Sequence, residues 1–135
     1  MTPRTMRRVY LREAAVALVL ARIAVRFVPS ARLLRWADRP MKKFWRFAPD
    51  DADWVAWAID ATTKRPGMAT QCLPRALAAH AMLRRRGIAS RLCLGVARND
   101  RDLTAHAWIE VGGRTLIGGE DAGRFAPLAA FGGAK

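Results

Sequence analysis

Two residues in the second half of the sequence could together supply a nucleophile and its general base. Cys72 lies where a helix is predicted to begin, and the unpaired backbone N–H groups at the start of a helix stabilise a thiolate. His106 lies on a predicted strand, where side-chain alternation places it on the same face as Trp108 and Glu110. A histidine that faces a cysteine at a helix N-terminus is the arrangement of thiol catalysis. The pair therefore indicates nucleophilic chemistry at sulfur.

Each of these residues, taken alone, also has a purely structural interpretation. A free cysteine is more often a small buried hydrophobe, and we expect this of Cys93, which alternates inward with leucines on its strand. His80 follows Cys72 by eight positions, about 12 Å along a helix, which is too far for it to act as the base of that cysteine. We expect His80 to be a packed or surface residue. Arg75 could either support the helix of Cys72 or meet a substrate.

The elements that must position this pair are a helix and an antiparallel meander. The helix is predicted from Cys72 to Arg86, with Pro74 tolerated in its first turn and Gly87 as its C-terminal cap. After Gly87 the apolar period changes from about 3.6 to 2, as expected for strands. Strands are predicted at 90–96, 103–111 and 114–117, with a turn at 99–102, a tight hairpin at 112–113 and a frayed chain end around 132–134. The order is therefore cysteine helix, strand, histidine strand, strand.

The first half of the sequence is predicted to be helical. A helix over 5–27 ends before Pro29, which cannot continue it. The basic, aromatic stretch 30–47 predicts a short helix and a loop, and a third helix opens at Asp50 as its N-cap, with Trp54 and Trp57 on its apolar side. The 135 residues are too few for a second domain, so the sequence predicts a single α+β domain.

The positive charge is concentrated near the N-terminus. The chain has 24 Lys+Arg against 11 Asp+Glu, a net charge of +13, of which residues 1–50 carry +9. At 100° per residue, Arg8, Arg12, Arg22 and Arg26 fall within an arc of about 80° on the first helix. This stripe could be the solvated face of a core-packed helix, or it could dock on an anionic membrane surface or an acidic partner. The arginines and aromatics of 30–47 could also stack on single-stranded nucleic acid, which we consider the weaker interpretation.

Cysteine usage and the apolar segments indicate the compartment. The two cysteines have no CxxC spacing, so we expect a reducing, cytoplasmic compartment and neither structural zinc nor any cofactor. The apolar run at 14–21 is far shorter than the ~20 residues of a membrane span. The basic start followed by this run is similar to a signal peptide, but it has no clear cleavage site, and we favour a helix that belongs to the fold.

Four short segments give a more specific resemblance. CLPRAL at 72–77, LRRRGI at 83–88, LGV at 94–96 and AHAWIEV at 105–111 closely resemble the B2 proteins of lasso-peptide biosynthesis. Those proteins are transglutaminase-like cysteine proteases that remove the leader peptide from a ribosomally made precursor. The resemblance spans about 71–119. It implies an α+β fold in which a basic helical part, 1–66, precedes a papain/transglutaminase-like core, 67–131, whose active-site helix packs on a small antiparallel meander.

The resemblance also implies roles and partners. Cys72 would attack the amide between leader and core peptide, and His106 would act first as a base and then as an acid toward the leaving amine. The backbone of Gln71, with the Cys72 N–H, could contribute to an oxyanion site. A separate leader-binding protein and a lasso cyclase are the implied partners, because the chain has no room for a leader-recognition domain of its own.

The third member of the triad is where this sequence departs from the pattern. In many relatives an Asp follows the His by about twelve residues, a position that is Gly118 here. With a two-residue turn at 112–113, the cross-strand neighbour of His106 is Gly119, which also has no carboxylate. We assign the role of orienting acid to Glu120, which a bulge could bring within reach, although Glu120 and Asp121 could equally be solvated loop acids.

A second class of function remains open at this point. The chain could be a non-catalytic basic binding module that contacts nucleic acid or an anionic surface through residues 1–50. The rate of thiol alkylation distinguishes the peptidase from the binding module. A thiolate-forming Cys72 is alkylated quickly at neutral pH, and a buried structural cysteine is not.

Overall fold

A computed structural model of the protein describes residues 2–39, 50–99, 101–118 and 125–132. The helices are α1 (Pro3–Phe27), α2 (Ser30–Asp38), α3 (Asp50–Thr63) and α4 (Cys72–Arg85). The strands are β1 (Arg91–Asn99), β2 (Asp102–Val111), β3 (Arg114–Ile117) and β4 (Ala126–Gly132). The predicted α+β class is confirmed, with helices first and an antiparallel sheet after them.

The helix that begins at Cys72 ends as its sequence predicts. Arg86 is its C-cap, and Gly87 follows with φ of 70°, a left-handed conformation that glycine adopts without strain. The N–H of Gly87 donates to the carbonyl of Arg84 at 3.0 Å, and the N–H of Ile88 donates to that of Leu83 at 3.0 Å. These two bonds are the Schellman pattern, and they turn the chain directly into β1.

The sheet has the strand order β3-β2-β1-β4, with antiparallel pairing throughout. β1 and β2 pair without a break from Arg91 opposite Glu110 to Asn99 opposite Asp102. The hairpin between β2 and β3 turns at Gly112 and Gly113, both with positive φ, as predicted. The register of this hairpin then shifts by one residue between Ile109 and Glu110.

β4 has no counterpart among the predicted elements. We expected a frayed, Ala- and Gly-rich end around 132–134, whereas residues up to Gly132 form a strand on the free edge of β1. Residues 133–135 lie outside the described part of the chain. The composition of this segment, with Ala, Pro and Gly prominent, has little intrinsic strand preference, so pairing with β1 decides its conformation.

The core lies between the helices and one face of the sheet. Leu92, Ala107 and Ile109 point from the sheet into the helices and are buried with Leu18 and Leu83. Side chains one position along each strand point the opposite way, because side chains alternate. Cys93, Trp108 and Glu110 therefore share the other face.

Ion pairs join α1 to α4 within the fold. The guanidinium of Arg86 lies over the ring of Tyr10, 4.5 Å from its centroid, and bonds to the carboxylate of Glu13. Arg85 donates to the same carboxylate at 3.0 Å. The Glu13–Arg86 pair is mostly shielded from water, so losing one partner leaves a poorly solvated charge on the other.

The surface of α1 is more apolar than a solvated arginine face requires. Arg8, Arg12, Arg22 and Arg26 are exposed, as expected for the basic stripe. Leu20, Ile23 and Phe27 are exposed as well, with Phe27 74% accessible. Among the described residues, no helix is long and apolar enough to cross a membrane.

Candidate active site

Cys72 is the first residue of α4, the position that the sequence predicted. Its side chain is half-buried, and Gln71 precedes it as the N-cap residue in an extended conformation. Within the described residues the Gln71 side chain makes no capping bond, and Pro74 has no N–H to offer. The backbone N–H groups of Cys72 and Leu73 therefore remain at the start of the helix as donors for a thiolate or an oxyanion.

His106 lies on β2 between two aromatic rings. Its imidazole stacks on Phe125, with ring centroids 4.8 Å apart, and on Trp108 at 6.0 Å. The contact with Trp108 was expected from their shared face of the strand. Nε2 lies 3.0 Å from the carbonyl oxygen of Gly118. A carbonyl can only accept, so Nε2 carries the hydrogen, and Nδ1 is the basic nitrogen of the neutral ring.

Cys72 and His106 border the same pocket of about 290 Å³. The pocket lies where the start of α4 meets the middle of β1 and β2. Most of its lining is aliphatic and comes from α2, α4, β1 and β4: Leu33, Leu34, Leu73, Leu94, Val96 and Leu128. Atoms of both predicted residues therefore contribute to the lining of one cavity, while the His106 ring itself stacks on Trp108 and Phe125.

The two side chains do not face each other directly, which differs from the expectation. Among the contacts of the described residues, no hydrogen bond joins the Cys72 thiol to the His106 ring. The reason is strand alternation, because Ala107 points into the helix core and the neighbouring His106 ring stacks on the opposite face with Trp108. Because the ring and the thiol lie on opposite sides of β2, a thiol–imidazole bond would need a change in the backbone of β2 as well as a rotation of the His106 side chain.

Gly118 occupies the position at which the family pattern has an acid, and its backbone explains the residue type. Its φ is 78°, which favours glycine. A Cβ here would lie 3.1 Å from the Cβ of Trp108 and 3.3 Å from Nε2 of His106. The glycine therefore lets the chain approach closely enough for its carbonyl to hold the imidazole.

The acidic candidates of the sequence analysis cannot be placed beside this histidine. Glu120 and Asp121 lie outside the described residues, as does Gly119. Counting Gly119 as the neighbour of His106 assumed an unbroken hairpin register, and the shift between Ile109 and Glu110 removes that assumption. Within the described residues, the group that bonds to His106 is the Gly118 carbonyl.

The remaining cysteine is structural, as predicted. Cys93 is buried and donates to the carboxylate of Glu110 at 3.0 Å, which Trp108 Nε1 also approaches at 3.3 Å. Burial, followed by the nearby Glu110, raises the pKa of Cys93 to about 12. The bonds of the Glu110 carboxylate are thus to a thiol and an indole on its own face of the sheet.

His80 and Arg75 support α4 and its neighbours. His80 is buried, which decides between the packed and surface alternatives, and it bonds to Ala37 in α2 and to Ser90. Arg75 reaches Asp60 of α3 at 3.4 Å, which favours the supporting role over substrate contact. No group of three or more His, Cys, Asp or Glu side chains suited to a metal occurs among the described residues.

Two walls of the pocket were not expected from the sequence. α2 contributes Leu33 and Leu34, and β4 contributes Leu128. The aliphatic spacing of α2 was a usable signal, since Leu33 and Leu34 interrupt an otherwise basic stretch. β4 had no such signal, because its strand pairing depends on residues distant in sequence.

Comparison with known proteins agrees with this architecture. Residues 14–130 match the family model of the transglutaminase-like superfamily. Searches of curated proteins and of solved structures gave no significant match. The match spans most of the chain, including the cysteine helix, the histidine strand and β4, so the chain belongs to the transglutaminase-like superfamily.

Proposed function

We propose that the protein is a cysteine peptidase that removes the leader peptide from a lasso-peptide precursor. The observation that carries the proposal is one pocket bordered by Cys72, at the open N-terminus of α4, and by His106. Superfamily membership supports thiol chemistry at this place. The resemblance of the 72–77 and 105–111 segments to B2 proteins supports the narrower substrate class.

The chemistry proceeds in two halves. Cys72 sulfur, as a thiolate, bonds to the carbonyl carbon of the leader–core amide, and the N–H groups at the start of α4 stabilise the oxyanion. The imidazolium of His106 gives its proton to the leaving amine of the core peptide, and the C–N bond breaks. His106 then takes a proton from a water molecule, and this water hydrolyses the thioester. Hydrolysis frees the leader peptide and regenerates the Cys72 thiol.

Two groups of the chain are candidates for orienting the His106 ring. Glu120 remains our candidate acid, because it lies two residues beyond the position at which the resemblance implies an acid and a bulge could bring it within reach. The Gly118 carbonyl, 3.0 Å from Nε2, supports a cysteine–histidine dyad in which a backbone group fixes the tautomer. The two act differently, since only a carboxylate adds charge stabilisation to the imidazolium.

The residues that line the pocket indicate which substrate side chains it can accept. Apart from Ser30, Cys72 and His106, every lining residue is aliphatic or glycine. We infer that the precursor places an apolar or small side chain next to the cleaved bond, since an unpaired polar group would lose its hydration there. A separate leader-binding protein would deliver the precursor, and a cyclase would use the freed core peptide.

In the direct test, the protein is incubated with its precursor and the leader-binding protein. The products are identified by mass spectrometry. Cys72→Ala and His106→Ala should each abolish leader removal. Cys93→Ala is the matched control and should leave turnover nearly unchanged, because that thiol is buried away from the pocket. Full turnover by Cys72→Ala would refute the peptidase.

A non-catalytic binding function is the second candidate, because six arginines and several apolar side chains of α1 are exposed. Iodoacetamide labelling at neutral pH, mapped by peptide, separates the two. The peptidase requires rapid labelling of Cys72 against slow labelling of Cys93. Equal, slow labelling of both would favour the binding module.

A further inference from the structure

A trough separate from the cysteine pocket runs between α1, α4 and α2. Its volume is about 610 Å³, about twice that of the pocket at Cys72. Both small and larger apolar side chains line it. The alanines are Ala17, Ala21, Ala24, Ala78 and Ala81, and the larger residues include Val9, Val16, Leu20, Leu33, Trp36, Leu77 and Met82. We call this the α1–α4 trough.

The apolar edge of the trough is exposed to solvent. Val16 is 58% and Leu20 60% accessible, and Val9 lies two turns earlier on the same side of α1. Single exposed hydrophobic residues are common, but a continuous apolar stripe beside a concave surface is typical of an interaction site. Nothing among the described residues covers this stripe.

The charges around the trough are basic. Arg12 and Arg85 line it from opposite helices. Glu13 is the carboxylate in its lining, and both Arg85 and Arg86 already bond to it. Arg12, Arg85 and Arg86 surround one carboxylate, and Arg85 stays 74% exposed in its pair, so the net charge of this rim is positive and favours acidic groups at the edges of an occupant.

The dimensions favour a helix over a flat surface. From Val9 to Ala24 the trough follows sixteen residues of α1, a rise of about 22 Å at 1.5 Å per residue, or about four helical turns. The five alanines in its lining leave room for larger side chains of a second helix between α1 and α4. A bilayer would rest on the exposed ridge and leave the concave floor unfilled.

We propose that the α1–α4 trough binds an acidic amphipathic helix of a partner polypeptide, about four turns long. Apolar side chains spaced i, i+4, i+7 and i+11 fill the trough, and Asp or Glu side chains on its flanks meet Arg12 and Arg85. The proposal does not depend on peptidase activity, because the trough shares only Leu33 with the pocket at Cys72.

The test uses a designed peptide of about 16 residues, with leucines at those spacings and glutamates beside them. Fluorescence anisotropy of the labelled peptide measures binding to the full chain. Leu20→Glu and Arg12→Glu should each weaken binding at least about tenfold. Their controls, Val19→Glu and Arg8→Glu, are exposed on α1 outside the trough and should change it less than about twofold.

Several results would overturn the proposal. The first is no binding below roughly 100 µM. Equal losses for Arg8→Glu and Arg12→Glu would show that net charge, not the trough, attracts the peptide. Tight binding to vesicles containing about one third phosphatidylserine, weakened alike by both, would assign this face to a membrane. Self-association in sedimentation that Leu20→Glu abolishes would assign it to a second copy. Thermal melts by circular dichroism confirm that each variant is folded.

Discussion

Lowering the pH toward 4 should destabilise the fold through His80, which joins α2 to the rest of the molecule. Its Nε2–H donates to the Ala37 carbonyl at 2.9 Å, so its Nδ1 accepts from the Ser90 hydroxyl at 2.6 Å. Both bonds belong to the neutral ring. Desolvation by burial lowers the pKa of His80 from 6.5 to about 4, and the nearby Arg84 acts in the same direction, against the bond to Ala37.

The direction and size of the effect follow from the two protonation states. The unfolded chain binds a proton at His80 below about pH 6.5, and the folded chain binds it only below about pH 4. Between these values the unfolded state holds more protons, so stability falls as the pH falls. At 1.36 kcal/mol per pKa unit, the loss from this group reaches about 3 kcal/mol.

The measurement is urea denaturation followed by tryptophan fluorescence from about pH 7 to 4, for the natural protein and for His80→Gln. A glutamine can donate to Ala37 and accept from Ser90 but does not titrate in this range. The free energy of unfolding should therefore fall about 3 kcal/mol less in the variant over that window. Parallel pH profiles for the two proteins would show that His80 is not held neutral, and the reasoning from its burial would fail.

Three further predictions concern the site and the helix pair. Gly118→Ala should slow leader removal at least about tenfold, because the added Cβ crowds the His106 ring. Gly112→Ala is the control, also at positive φ but in open space, and it should lower the free energy of unfolding by only about 1–2 kcal/mol. Single-turnover cleavage should fall at least about tenfold in Glu120→Gln and little in Asp121→Asn if the acid orients the histidine, and small, equal effects would leave the backbone carbonyl in that role. Glu13→Ala should lower the free energy of unfolding by about 3 kcal/mol, measured in urea, because it leaves a shielded guanidinium unpaired, and a loss below about 1 kcal/mol would mean that water solvates that guanidinium.

The local elements around the site could be predicted because short-range chemistry decides them. Gly87 ends α4 where a left-handed residue was needed, and the Gly112–Gly113 turn fixed the hairpin. The bounds of β3 were right for the same reason. The position of Cys72 at the start of a helix could likewise be predicted, since Pro74 is tolerated only in the first turn of a helix.

The features that sequence reasoning missed depend on long-range packing. β4 forms because β1 offers it an edge, and the burial of Glu110 against Cys93 depends on the pairing of two strands. Trp57, expected on the apolar side of α3, is partly exposed beneath the guanidinium of Arg7, because Val55 and Ile59 take the buried face. The one-residue shift in the hairpin has no sequence signal, and it changed which residue could be counted opposite His106.

In the bond from His106 to Gly118, the group that holds the imidazole belongs to the main chain. Triads are usually recognised by the type of their third side chain, so a search for Asp, Glu or Asn would pass over this position. Every residue has a carbonyl group. The Gly118 carbonyl bonds to the ring because the backbone conformation at this position directs it there. Among transglutaminase-like sequences that lack the acid, a glycine about twelve residues after the histidine would therefore be a marker of retained imidazole orientation, and its loss would mark the chains in which that orientation has gone.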